Sequence, residues 1–156
     1  MSTKLKALSK LLTGTGCRDR VYGMGPTEKI FKKEYAKELF KIAQNDWVSG
    51  EALAKVPSVR RETVLFHIEQ SVEKALKAVL CYQQKPVPFT HDIYAIVQRF
   101  DPNNMPPGGY ALHDLTPFAS IRRYEEGNYI VTEEDVAQAM TVAQQVLMWA
   151  EGLLKK

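Results

Sequence analysis

Apolar residues recur at three- and four-residue intervals along most of the chain, the spacing of one face of a helix. After the breaker cluster Gly23-Met24-Gly25-Pro26, Thr27 reads as an N-cap. The segment behind it predicts a long helix to about Ala54, with Tyr35, Leu39, Ile42, Ala43 and Leu53 as its stripe. Val56-Pro57-Ser58 ends it, and a second helix runs from near Val59 to about Tyr82 on Leu65, Ile68, Val72, Leu76 and Val79. Pro86 and Pro88 then force a turn. Thr90 is expected to cap a short helix from His91 to about Phe100, and the Pro-, Gly- and Asn-rich run 101–109 to form a mobile loop. Another short helix is expected over Leu112–Tyr124, closed by Gly127-Asn128. Thr132, with Asp135 three residues on, starts the last helix in the manner of a capping box. Its stripe is Val136, Met140, Ala143, Leu147, Ala150 and Leu154. A second row, Val142, Val146 and Trp149, makes the apolar face wider than one small core needs and predicts a homodimer. No alternating run predicts a sheet. The expected class is all-α, an up-and-down bundle of four to five helices.

The length, 156 residues with 45% hydrophobic, is that of one domain with a core of its own. With 25% charged and 10% aromatic residues, disordered and collagen-like classes are excluded. No run approaches the ~20 apolar residues of a membrane span, and the polar start Met1-Ser2-Thr3-Lys4-Leu5-Lys6 is unlike a secretory signal, so a cytoplasmic location is expected. Cys17 and Cys81 are then expected as free thiols. Charge divides the chain: residues 1–26 carry five Lys and Arg against Asp19 alone, while the whole chain is only +3. This marks a basic N-terminal arm, 1–26, ahead of a bundle at 27–156. Gly14-x-Gly16 and Gly23-x-Gly25 lack both the strand-to-helix context and the Lys-Ser/Thr pair of a phosphate loop, and no nucleophile elbow occurs.

Asp46 falls on the first helix's stripe, four after Ile42 and seven before Leu53, and needs a partner in the interior. The second helix carries His67, Gln70, Ser71 and Lys74 as one polar line, so Lys74 or His67 is expected to satisfy Asp46 across the helix pair. His91, beside an Asp92 that favours the positive end of its helix, and His113, in the repeated His113-Asp114, are candidate ligand contacts, although the spacing of the two histidines and their Asp neighbours fits no familiar metal site. Arg122, Arg123 and Tyr124 combine guanidinium groups able to grip phosphate with a ring able to stack a base. Neither a metal nor another cofactor is expected.

Ala43-x-x-Asp46-Trp47, the block Phe66-His67-Ile68-Glu69-Gln70-Ser71-Val72-Glu73-Lys74-Ala75-Leu76-Lys77-Ala78, Thr90-His91-Asp92-Ile93 and Arg123-Tyr124 together resemble a HEPN domain (higher eukaryotes and prokaryotes nucleotide-binding) over about residues 28–154. The resemblance implies a dimerising helical bundle that binds nucleotide or RNA. It also implies a minimal nucleotidyltransferase as partner, in a toxin–antitoxin arrangement. Some members are metal-independent ribonucleases, with an Arg about four to six residues before a His near the last helix. Arg122 and Arg123 have no such His after them; Arg61 and His67 match the spacing, but on the second helix and with Glu62 following. Three functions are weighed: a nucleotide- or RNA-binding module centred on Arg123, Tyr124, Arg122, His91 and Lys74, which is preferred; a ribonuclease using Arg61 and His67; and a dimeric interaction protein without a ligand.

Overall fold

The computed structural model describes residues 27–119 and 130–155. Its elements, in chain order, are β1 (Glu28–Lys29), α1 (Tyr35–Ala54), α2 (Arg61–Tyr82), β2 (Val87–Pro88), α3 (Ile93–Val97), 3-10 segments at Pro102–Asn104 and Gly109–Leu115, α4 (Thr116–Ala119) and α5 (Glu133–Leu154). The five α-helices form an all-α bundle with α2 at its centre. Of the 22 residues of α2, 14 are buried, more than a helix with one face in water can reach. None of the described helices is long and apolar enough to cross a membrane.

Residues 55–60 connect α1 to α2, and this short link makes the two helices neighbours. The buried residues of α1 are Ala36, Phe40, Ala43 and Gly50. Tyr35 and Ile42, expected on the inner stripe, are 39% and 43% exposed, so the buried face lies further round the helix. The small residues explain the rotation, because they let the two backbones approach closely. A Cβ on Gly50 would stand 2.8 Å from Ile68 Cδ1. α1 also starts later than Thr27 predicts. Thr27 caps nothing; its carbonyl accepts the Phe89 N–H at 2.8 Å, and Glu28–Lys29 pair antiparallel with Val87–Pro88. This two-stranded ribbon corrects the expectation of no sheet. At two residues per strand it is too short to show alternation, and it follows from the extended geometry that the prolines impose.

The segment after the ribbon is more ordered than its composition suggests. α3 begins at Ile93, not His91, and its cap is Asp92, whose side chain accepts the Tyr94 N–H; Thr90 Oγ1 accepts the Asp92 N–H instead. The expected mobile loop holds a 3-10 turn started by Pro102, and a longer 3-10 run replaces the beginning of the helix placed at Leu112. Gly108 permits this path: its φ is +84°, and a Cβ there would meet Leu112 Cδ2 at 2.9 Å.

Thr132 and Asp135 form a reciprocal capping box at the start of α5. The second apolar row of α5 is used inside the chain. Val146 is fully buried, Trp149 packs edge-to-face on Phe100 at 5.6 Å, and Val142 lies against the turn at Gly108. The width of this face therefore does not require a second copy. The basic arm with Cys17, and the run holding Arg122, Arg123, Tyr124, Gly127 and Asn128, lie outside the described residues. Cys81 is buried as a free thiol.

Candidate functional site

Along one side of α2, Glu69, Gln70 and Glu73 are buried, and Ser71 is buried on the opposite side. Helical spacing brings Lys74 under Gln70 and Lys77 under Glu73, each four residues on. Neighbouring elements complete two sets of similar composition. In the first, Lys74 Nζ donates to Asp46 Oδ2 at 2.8 Å, and His67 Nδ1 lies 3.4 Å from Asp46 Oδ1. In the second, Lys77 Nζ donates to Glu73 Oε1 at 2.7 Å, and His91 Nδ1 lies 2.8 Å from Glu73 Oε2. Lys77 also donates to the Thr90 carbonyl at 2.8 Å, which ties the segment carrying His91 to α2. Each set is one carboxylate holding one histidine and one lysine.

Gln70 joins them. Its Oε1 accepts Lys74 Nζ at 2.6 Å, while its Nε2 donates to Glu69 Oε2 at 2.9 Å and approaches Glu73 Oε2 at 3.4 Å. Behind this bridge Glu69 has no exposed surface. Burial, reinforced by the nearby Glu73 carboxylate, raises its pKa to about 8 against the opposing pull of Gln70, Lys74 and Lys77. Glu69 is therefore mainly neutral at pH 7. Among the described residues, its Oε1 and the Ser71 hydroxyl have no hydrogen-bond partner, a cost of roughly 1–3 kcal/mol for each buried polar atom.

The chemistry on offer is hydrogen bonding by oriented polar groups: an ammonium that donates, and imidazole Nε2 atoms that accept when neutral and donate when the ring is an imidazolium. A histidine fixed through Nδ1 turns Nε2 toward any ligand, as carboxylate-held histidines do in other sites. His91 is 67% exposed at its side chain; His67 and Lys74 are half-buried. The ammonium of Lys74 has three protons and, among the described residues, two acceptors. With both imidazoles neutral the lysines balance Asp46 and Glu73, and each imidazolium adds one positive charge.

The remaining candidates are dispersed. Arg61 Nη1 and Nη2 donate to the Val131 carbonyl and to Glu133 Oε1, both at 3.2 Å. It lines a cleft of about 620 Å³ between the α1–α2 link and the start of α5, together with Arg60, Val56 and Ile130. Six residues along a helix separate Arg61 and His67 by about 9 Å in height and about 120° in direction. One side chain turns to α5 and the other to α1, so the fold does not bring them together. His113 Nδ1 lies 3.6 Å from Asp92 Oδ1, beside Tyr94 and Tyr110, on another patch. Among the described residues no three of His, Cys, Asp and Glu gather to hold a metal ion.

Glu69, Glu73 and Lys77 are site residues that the reading of candidate residues did not single out. Their signal was the i, i+4, i+8 row Glu69, Glu73, Lys77, which by pattern alone is indistinguishable from a solvated helix face.

The HEPN domain family model matches residues 36–153, from the first turn of α1 to the last turn of α5. No curated protein and no solved structure matches the chain. The match takes in every helix described above and all residues of both carboxylate sets, so the chain belongs to the HEPN family, and at that level its function is connected with nucleotides or RNA.

Proposed function

We propose that the chain is a nucleotide- or RNA-binding HEPN module whose ligand lies against the Asp46–Glu73 seam. The observation that carries this reading is the pair of carboxylates, each holding a histidine and a lysine, bridged by Gln70. A purely structural ion pair needs neither a histidine on each acid nor His91 left largely in water. Phosphate oxygens would accept from Lys74 Nζ and, when the ring carries both protons, from His91 Nε2; Arg122, Arg123 and Tyr124 are the guanidinium and ring contacts that the sequence offers in addition, of the kind nucleotides use.

Calorimetric titration with ATP tests the proposal. Lys74→Ala and His91→Ala should each weaken binding by about tenfold, the usual loss for one charge-assisted hydrogen bond. A wild-type protein that takes up no ATP at millimolar concentration, or variants that bind it unchanged, would remove the seam as the ligand surface. Single-stranded RNA incubated with the protein and a chelator should stay intact, because Arg61 and His67 are held by different neighbours.

The proposal extends to a homodimer working beside a minimal nucleotidyltransferase in a toxin–antitoxin arrangement. Ile42, Val48 and Met148, apolar side chains left exposed, support the first part, and the family resemblance supports the second. Light scattering and co-purification with the neighbouring gene product test them separately.

A further inference from the structure

A second surface, sharing no residue with the seam, is built where the described chain begins. Lys29, Lys32, Lys33, Lys37 and Lys41 are all exposed, and Lys33, Lys37 and Lys41 follow one another at four-residue spacing into and along α1. Among the described residues none of the five forms an ion pair. Of the acids in this stretch, Glu28 is taken by Arg99 at 3.0 Å, leaving Glu34 and Glu38. The face is therefore cationic by its own residues.

Aromatic rings are set among these lysines. Phe31 stacks on Tyr35 with centroids 5.1 Å apart and meets Phe89 edge-on at 6.1 Å. Lys29 Nζ lies 5.4 Å from the Phe31 centroid, and Lys33 Nζ lies 4.0 Å from that of Tyr82. The ribbon makes this assembly, since the Phe89 N–H bonded to the Thr27 carbonyl sets Phe89 beside Phe31 although 58 residues separate them in the chain. Phe89 remains 58% exposed, and nothing in the core requires it to be aromatic.

We infer that this lysine–aromatic face binds single-stranded RNA, with phosphates on Lys32, Lys33 and Lys37 and bases stacked on Phe89 and Tyr35. Rings alternating with cations along a rigid surface are how single strands are held without regard to sequence, and a duplex has no unstacked base to offer. An anionic bilayer is the other polyanion such a face suggests. Insertion there takes rings that project about 5–10 Å into the lipid, whereas Phe31 and Tyr35 are packed against each other. The inference takes RNA as ligand class from the preceding reading but uses different residues, so the two can fail independently.

Fluorescence anisotropy with a labelled 12-nucleotide oligouridine, at several KCl concentrations, is the test. The double variant Lys32→Glu/Lys37→Glu should bind at least tenfold more weakly at low salt. Its salt slope should shrink by about 1.4, since each phosphate contact to a single strand contributes about 0.7. Phe89→Ala should lose about tenfold, within the range for one stacked base, with the slope unchanged. All three side chains are exposed, and circular dichroism checks that the fold persists. ATP affinity should stay at the wild-type level in both variants; a wild type that binds oligouridine but no ATP would break the seam reading and leave this one standing. Oligouridine bound equally by wild type and variants, or not bound by the wild type, overturns the inference. So do phosphatidylserine vesicles that bind the wild type and release both variants while oligouridine does not discriminate among them.

Discussion

Ile68 and Glu69 are consecutive residues of α2, and neither has any exposed surface, yet they are buried for different reasons. Ile68 belongs to the row of Leu65, Val72, Leu76 and Val79, where removal from water is itself the driving force, about 25 cal/mol per Å² of apolar area. Glu69 belongs to the row of Gln70 and Glu73, where removal from water opposes folding and must be offset by partners. The apolar side can be explained by packing alone. The polar side is a chain of dependencies from Asp46 to His91, and a break in it should propagate where a loss on the apolar side would stay local.

Glu73→Ala should break that chain most severely. It removes the carboxylate acceptor of Lys77 and the partner of His91, leaving the ammonium, among the described residues, with the Thr90 carbonyl alone. A destabilisation of about 3–5 kcal/mol is expected in urea unfolding, the usual cost of an orphaned buried charge. Asp46→Ala comes next at about 2–3 kcal/mol, because Lys74 keeps Gln70 and some contact with water. An effect near zero in both variants would mean that the polar side is as tolerant as a solvated face.

Glu69→Gln sharpens the comparison in the opposite direction. Glu69 has an ordinary pKa of 4.5 and one of about 8 in the fold, so the folded state holds its proton more tightly than the unfolded chain. Its contribution is fully present below about pH 4.5 and declines as pH rises toward about 8, by up to about 1.4 kcal/mol per unit. The Gln variant, which cannot ionise, should be more stable than wild type by roughly 2 kcal/mol at pH 6, by more at higher pH, and equal to it near pH 4. Melting curves at the two pH values measure the difference. The smallest effect is expected from Gly50→Ala on the apolar side. Gained helix propensity is outweighed by the clash with Ile68 Cδ1 at 2.8 Å, for a net loss of about 1 kcal/mol.

What sequence makes visible follows the same division. α2 and α5 are legible in their apolar periods, and the start of α5 in its Thr132–Asp135 capping box, because both signals are local. The rotation of α1 is not legible, since it depends on Ala36, Ala43 and Gly50 meeting α2 closely, and small residues are nearly silent in a hydrophobic pattern. Nor is the ribbon, whose pairing joins residues 28–29 to 87–88 across two helices. At the candidate site, the spacing of Asp46 from Leu53 alone turns its carboxylate inward. Glu73 carries no such mark, because its pairing with Lys77 four residues on reads as a solvated helix face, and its other partner, His91, comes from a segment whose position only the tertiary fold decides.

The central position of α2 also has a consequence in time. Past its exposed first turn, α2 packs against α1, α3, α4 and α5 and has little open face from which it can fray while they stay in place. Amide protons of the fully buried stretch Ala75–Leu80, excepting the partly open Lys77, should exchange with deuterium only when the whole bundle opens, and so report its global stability. The terminal turns of α1 and α5, each with an outer side in water, should exchange through local opening long before.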